Sequence, residues 1–161
     1  MTNKEFNIYI NTIHGRMMRF AKSILHNEAD AEDVVSQVSE RLWRERERLD
    51  RDSNTTSFAM RSIRNGCYDH TRFRQRRHHT QPDGSMEDRG QSDERCDTIE
   101  LVRFAIKQLP ERQREVIHLK DIEGYSTREM ATILELEETN IRMILSRARR
   151  TLKEIIIKNM Q

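Results

Sequence analysis

The 161-residue sequence is poor in the residues that stop helices or staple small domains: five glycines, two prolines and two cysteines. With Gly and Pro so scarce, and no alternation of β-branched residues, a sheet-rich chain is excluded and an all-helical one expected. Cys67 and Cys96 form no C-x-x-C pair, which argues against a disulfide framework; they read as a helix-face thiol and a linker thiol. No apolar run approaches the roughly 20 residues of a membrane span. Residues 1–10 lack the apolar core and small-residue cleavage site of a signal peptide. The expectation is a soluble, cytoplasmic chain with no membrane insertion.

Catalytic signatures are missing too. The six histidines (His14, His26, His70, His78, His79 and His118) are scattered, with no H-E-x-x-H spacing. Gly-rich phosphate loops and G-x-S-x-G are absent. The carboxylates fall mostly on amphipathic helix faces, where solvation accounts for them. No catalytic, metal or cofactor site is expected, and the chain reads as something other than an enzyme.

Charge is what the sequence does have, at 35% of residues, and the net value of +2 conceals its distribution. Residues 61–77 hold six arginines and one acid, Asp69; residues 142–153 hold five basic residues and no acid. Between them, residues 83–97 hold six acids and two arginines. Two separate basic segments can neutralise phosphates at two places along a nucleic acid, although each alone could be a solvated helix face.

Apolar periodicity divides the chain. Phe6, Ile10, Ile13, Met17, Phe20 and Ile24 form one helical stripe, ended at His26 and Asn27. Asp30 is the expected cap of a second helix with Asp33 in its first turn, a stripe of Ala31, Val35, Val38 and Leu42, and an end near residues 49–50. Its paired acids and arginines fit i,i+4 pairing or a partner-docking face equally well. Residues 50–57 read as a polar loop and 58–74 as a third helix. Residues 77–97, with hardly an apolar side chain, read as a linker between a domain at 1–76 and one at 98–161. In the second domain, Leu101, Val102, Ala105 and Leu109 mark a helix, and Pro110 is expected in the first turn of the next.

The sharpest local signal follows. Ser126-Thr127-Arg128-Glu129 has the capping-box pattern and opens a short helix over 127–134. A brief turn and a longer helix from Glu138 complete a helix-turn-helix pattern. Its second helix begins polar, with Glu138, Thr139, Asn140, Arg142 and Met143, and turns basic at Arg147, Arg149, Arg150 and Lys153. Asn and Arg can bond adenine and guanine edges, and the later cations can reach phosphates. The third helix interleaves Phe58 and Tyr68 with arginines, a pattern that suits unpaired bases but also an ordinary core.

Three motifs in order then resemble one family. Asp30-Ala31-Glu32-Asp33-Val34-Val35 with Leu42-Trp43 resembles region 2 of the σ70 family, in particular its extracytoplasmic-function (ECF) group. Phe58-Ala59-Met60-Arg61, then Arg64-Asn65, Asp69 and Arg72, is similar to that group's −10 helix. Leu109-Pro110-Glu111-Arg112-Gln113-Arg114-Glu115-Val116, Gly124-Tyr125-Ser126 and Ser146-Arg147-Ala148-Arg149 resemble its region 4. The resemblance implies a σ2-like bundle and a σ4-like helix-turn-helix domain that direct core RNA polymerase to promoter DNA. It implies that Asp33, Val34, Gln37, Arg41 and Trp43 lie near the surface gripping the β′ clamp helices, with the β flap a second contact. It implies −10 recognition and melting by Asn54, Thr55, Thr56, Ser57, Phe58, Arg61, Arg64, Asn65, Asp69 and Arg72. For the −35 element it implies Ser126, Thr127, Glu138, Thr139, Asn140, Arg142, Met143, Ser146, Arg147, Arg149 and Arg150. An anti-σ factor or recruiting protein is a further partner of such chains.

The sequence departs from the family pattern at Ser36 and Ser39, where Gln and Phe are usual, and at Glu135, where the turn usually holds Gly. A left-handed backbone there costs a non-Gly residue about 1 kcal/mol. Glu135, Glu137 and Glu138 also place negative charge near the reading helix, so weakened −35 recognition is expected. The competing functional reading is a helix-turn-helix regulator that binds duplex DNA without polymerase.

Overall fold

A computed structural model describes residues 1–49, 54–77 and 97–160, and every regular element among them is helical. The expected linker, with Cys96, His78 and His79, falls largely outside the described residues. The first helix, α1 (Asn3–Leu25), opens with a capping box: Thr2 Oγ1 accepts from Glu5 N–H, and Glu5 accepts from Thr2 N–H. Ile13, Met17 and Phe20 bury the predicted stripe, and His26, left-handed at φ 55°, closes the helix.

Asn27, not Asp30, caps α2 (Glu28–Arg44), its side chain accepting from Asp30 N–H at 2.9 Å. Asp30 sits in the first turn, where it pairs with Arg74 and His70 of the third helix. Asn and Asp cap about equally well, and the sequence offers both. The helix also ends earlier than its charge pattern suggested: regular structure stops at Arg44, and turns carry the chain to buried Leu49. Here Arg46 stacks over the Trp43 ring at 4.0 Å and donates to the Trp43 carbonyl, which fixes the turn.

The reading of residues 54–57 as loop is overturned. Asn54, Thr55, Thr56 and Ser57 form the first turn of α3 (Asn54–Arg77), which also continues beyond the expected end at 74. Tertiary packing overrides their turn propensity: Thr55 and Ser57 are buried, and the Tyr9 hydroxyl donates to the Thr55 carbonyl at 2.9 Å. Helices α1, α2 and α3 pack on one another around Met17, Phe20, Val34, Leu42, Met60 and Ile63, all under 2% exposed. Each such burial is worth about 1.5–3 kcal/mol. Where α3 crosses α2 the space at Gly66 is tight: a Cβ there would lie 3.0 Å from Val34 Cγ1 and would push that side chain aside.

The second half begins with α4 (Asp97–Gln108). Pro110 (φ −53°) occupies the cap position before α5 (Glu111–Ile117), one residue outside the predicted first turn. Unpredicted, α5 runs on into a π turn, His118–Ile122, with Glu123 N–H donating to the His118 carbonyl. Gly124 takes φ 77° and releases the chain into Ser126, whose capping box with Glu129 opens α6 (Thr127–Leu134) as expected. Glu135 adopts φ 56°, ψ 45°, the left-handed conformation anticipated for that turn. The last helix, α7 (Glu138–Asn159), buries Ile141, Leu145 and Ala148.

The two halves touch. Helix α3 packs against α6, and α1 against α5 and the π turn. The His118 ring stacks on Phe20 at 5.7 Å between centroids.

Candidate nucleic-acid interface

Two surfaces carry the residues singled out from the sequence. On α3, the 100° step per residue places Phe58, Arg61, Asn65, Asp69 and Arg72 along one face. Asn65, Asp69 and Arg72 are exposed, and Asp69 pairs with Arg72 at 3.5 Å. The Arg61 guanidinium lies 5.3 Å from the Phe58 ring centre, and that of Arg64 lies 4.8 Å from Tyr68. A plane that holds a guanidinium this way can also stack a base. Thr55 and Ser57 are not on this surface, because their side chains are buried in the first turn. Asn54 is exposed and Thr56 half-buried beside them.

The second surface is the outer face of α7. Ile141, Leu145 and Ala148 fix which side meets the core, so Thr139, Met143, Ser146, Arg147 and Arg150 point away from it, exposed. Glu138, Asn140 and Arg142 are exposed at the same end, with Arg142 within 3.8 Å of Glu138. Ser126 and Thr127 stand at the start of α6, the serine hydroxyl occupied by its cap. Arg149 departs from the set: it forms a two-bonded pair with Asp121 of the π turn, at 2.7 and 3.2 Å, and braces α7 against the preceding segment.

On α2, Asp33, Gln37 and Arg41 are exposed at i, i+4 and i+8 and form one strip. Val34 does not belong to it. At 1% exposure it packs in the core against Gly66. Trp43 is half-buried, edge-on to Phe6 at 5.2 Å.

Sequence reasoning missed a set of charges between the halves. Glu115, 2% exposed, accepts from Arg64 Nε at 2.9 Å and from the Tyr68 hydroxyl. Burial pushes its carboxyl above the usual range, against the pull of Arg64. Glu123 accepts two bonds from Arg19 of α1, at 2.6 and 3.0 Å, with Arg16 3.9 Å away. Although burial opposes it, the Arg19 bond prevails and holds the Glu123 carboxyl below its usual range. His118, facing Glu123 at 3.6 Å, is driven down to about 4 mainly by burial. Arg61 approaches Glu135 at 3.9 Å. The partners that bridge the halves lie from 47 to 104 residues apart, and no spacing rule reaches that far. The Cys67 thiol, buried in α3, is pushed up to about 12, which leaves it an inert packing group.

Comparison with known proteins follows the same division. The Sigma-70 region 2 family matches residues 9–77, and the Sigma-70, region 4 family matches residues 99–152. The chain is 25% identical over 143 residues to the ECF RNA polymerase sigma factor SigM of Mycobacterium tuberculosis, in both the H37Rv and Erdman strains; the match covers 89% of this chain and 72% of SigM. Among solved structures, the sigma factor RpoE of Bartonella quintana, in complex with the anti-sigma factor NepR, superposes with a TM-score of 0.75 at 23% identity. That superposition covers 95% of this chain and 97% of RpoE. CnrH in complex with the cytosolic domain of CnrY gives 0.72 at 23% identity, covering 98% and 90%. With both Sigma-70 regions present in order and together spanning most of the chain, the chain belongs to the σ70 family of sigma factors, and among its relatives it is similar to an ECF member.

Proposed function

We propose that the chain divides its work between its two halves, residues 1–76 and 98–161. The exposed face of α3 reads and opens the −10 element, and the outer face of α7 reads the −35 element. The observation that carries this is the alignment of Phe58, Arg61, Asn65, Asp69 and Arg72 on one face of α3, aromatic and arginine side by side. Unpaired bases stack on such a face while the backbone lies against its cations. Extracting a base from the duplex costs a few kcal/mol, roughly, offset by that stacking. The contacts proposed on α7 are Thr139, Asn140, Arg142, Met143, Ser146, Arg147 and Arg150.

Asp33, Gln37 and Arg41 are proposed to face the β′ clamp helices of core polymerase, with Trp43 shaping the end of that strip. Region 4 is proposed to meet the β flap. The chain acts in the cytoplasm, where polymerase is, and performs no catalysis itself. Its structural relatives were solved with the anti-sigma factor NepR and with the cytosolic domain of CnrY, which supports a regulatory partner of that kind here. A stand-alone helix-turn-helix regulator would have no use for the region 2 half, which its reading leaves unexplained. Runoff transcription with core polymerase on the source genome's DNA tests the proposal: discrete starts that require the chain support it. Sequence-specific duplex binding by the chain alone, without such starts, would overturn it.

A further inference from the structure

The outer face of α7 carries one large apolar side chain among polar and basic ones. Met143 is 48% exposed in the second turn, with Thr139 one turn before it and Arg147 one turn after. The core is filled from the opposite side of the helix, by Ile141, Leu145 and Ala148, so Met143 has no packing role there. Among the described residues, the other exposed large apolar side chains lie on other elements or, like Ile157 and Met160, at the far end of α7. A helix that enters the major groove presents its first turns to base edges and its later cations to phosphates. Met143 stands in the first group, Arg147 and Arg150 in the second.

The only apolar group on a base edge in that groove is the C5-methyl of thymine. Asn140, three residues before Met143, shares its stretch of surface, with Cβ atoms three residues apart on a helix separated by about 5–6 Å. Its amide can bond the N6 and N7 edge of adenine. Arg142, the side chain in these turns best suited to guanine, has Glu138 within 3.8 Å, which competes for its guanidinium. The first two turns of α7 therefore offer an adenine-type amide and a methyl-type thioether side by side. We infer that Met143 reads the C5-methyl of a thymine in the −35 element, with Asn140 bonding an adenine edge beside it. This rests on the reading of α7 as the −35 helix and assigns that helix a base preference. The unbranched methionine side chain adjusts to the methyl at little strain. Removing one methyl-sized contact from water is worth about fourfold in binding. Arg147 and Arg150, on phosphates, add affinity without regard to sequence.

The test uses holoenzyme assembled from bacterial core polymerase and the full chain. Duplexes are selected from a pool randomised across the −35 element of one promoter that the chain directs. The selected duplex is then resynthesised with deoxyuridine for thymine, one −35 position at a time, which deletes the methyl and keeps the base pair. Binding is measured at one fixed salt concentration. Wild-type holoenzyme should weaken about fourfold at one thymine position. Met143→Ala, a change at an exposed helical site, should bind the thymine duplex about fourfold more weakly than wild type and bind the deoxyuridine duplex equally well. Wild-type binding unchanged by deoxyuridine at every −35 position would overturn the inference and leave the −35 role of α7 standing. The same sensitivity in Met143→Ala as in wild type would give the methyl contact to another side chain and also overturn it. A pool that selects no sequence would overturn the −35 role itself, and the inference with it.

Discussion

Acid should loosen this protein through one histidine. His118 is 6% exposed, stacked on Phe20 and faced by Glu123, with Arg19 just beyond. Its imidazole is driven from 6.5 to about 4 because burial penalises the charged ring more than Glu123 favours it. A histidine depressed in the folded state contributes stability that is fully present above the unfolded value and is lost as pH falls toward the folded one. The 2.5-unit gap corresponds to about 3 kcal/mol in full, of which about 2 kcal/mol is lost between pH 7.5 and 5. Urea unfolding at those two pH values measures it. The raised carboxyl of Glu115 shifts stability with pH in the opposite sense and the lowered carboxyl of Glu123 in the same sense, so the informative quantity is the wild-type loss minus that of His118→Gln. The variant should be less stable at pH 7.5 but nearly free of the 2 kcal/mol drop. Equal drops in the two proteins would refute the assignment.

Other outcomes follow from single sites. Glu135→Gly relieves the left-handed strain, about 1 kcal/mol, and gives up an exposed ion pair worth less than that. Thermal melting should therefore rise by a few degrees, roughly. Gly66→Val forces a side chain onto Val34 and should cost about 1–3 kcal/mol by urea unfolding. Ser126→Ala removes the α6 cap and should cost about 1 kcal/mol. Asn65→Ala or Asp69→Ala should lower promoter opening about tenfold, read by permanganate footprinting, with core binding unchanged. Equal loss of opening and core binding would mean that the roles are misplaced.

What the sequence made legible were features whose cause is local. The Phe6–Ile13–Met17–Phe20 stripe, the Ser126–Glu129 box and the left-handed turn at Glu135 each depend on neighbours within a few residues, and each formed as expected. Features decided by distant contacts were not legible. Residues 54–57 are turn-prone by composition, yet the burial of Thr55 and Ser57 draws them into α3. Asn27 outcompetes Asp30 for a cap that both could make, because Asp30 is held by His70 and Arg74. The π turn leaves no composition signal; it is seen in the bond from Glu123 N–H to the His118 carbonyl, and it lets Asp121 reach Arg149 while Glu123 reaches Arg19. Within the candidate interface, the helical period correctly separated the inner and outer faces of α7. The motif match set Val34 on the docking strip because it names a position without its environment, although the spacing of Val34 from Ala31 and Val38 puts it on the buried stripe.

The central claim is tested most directly by runoff transcription with bacterial core polymerase, with and without the chain, on DNA from its source genome. Discrete starts are expected that appear only with the chain, share two sequence elements and weaken when Asn65 is replaced by Ala. An identical set of transcripts with and without the chain, at saturating concentration, would contradict it.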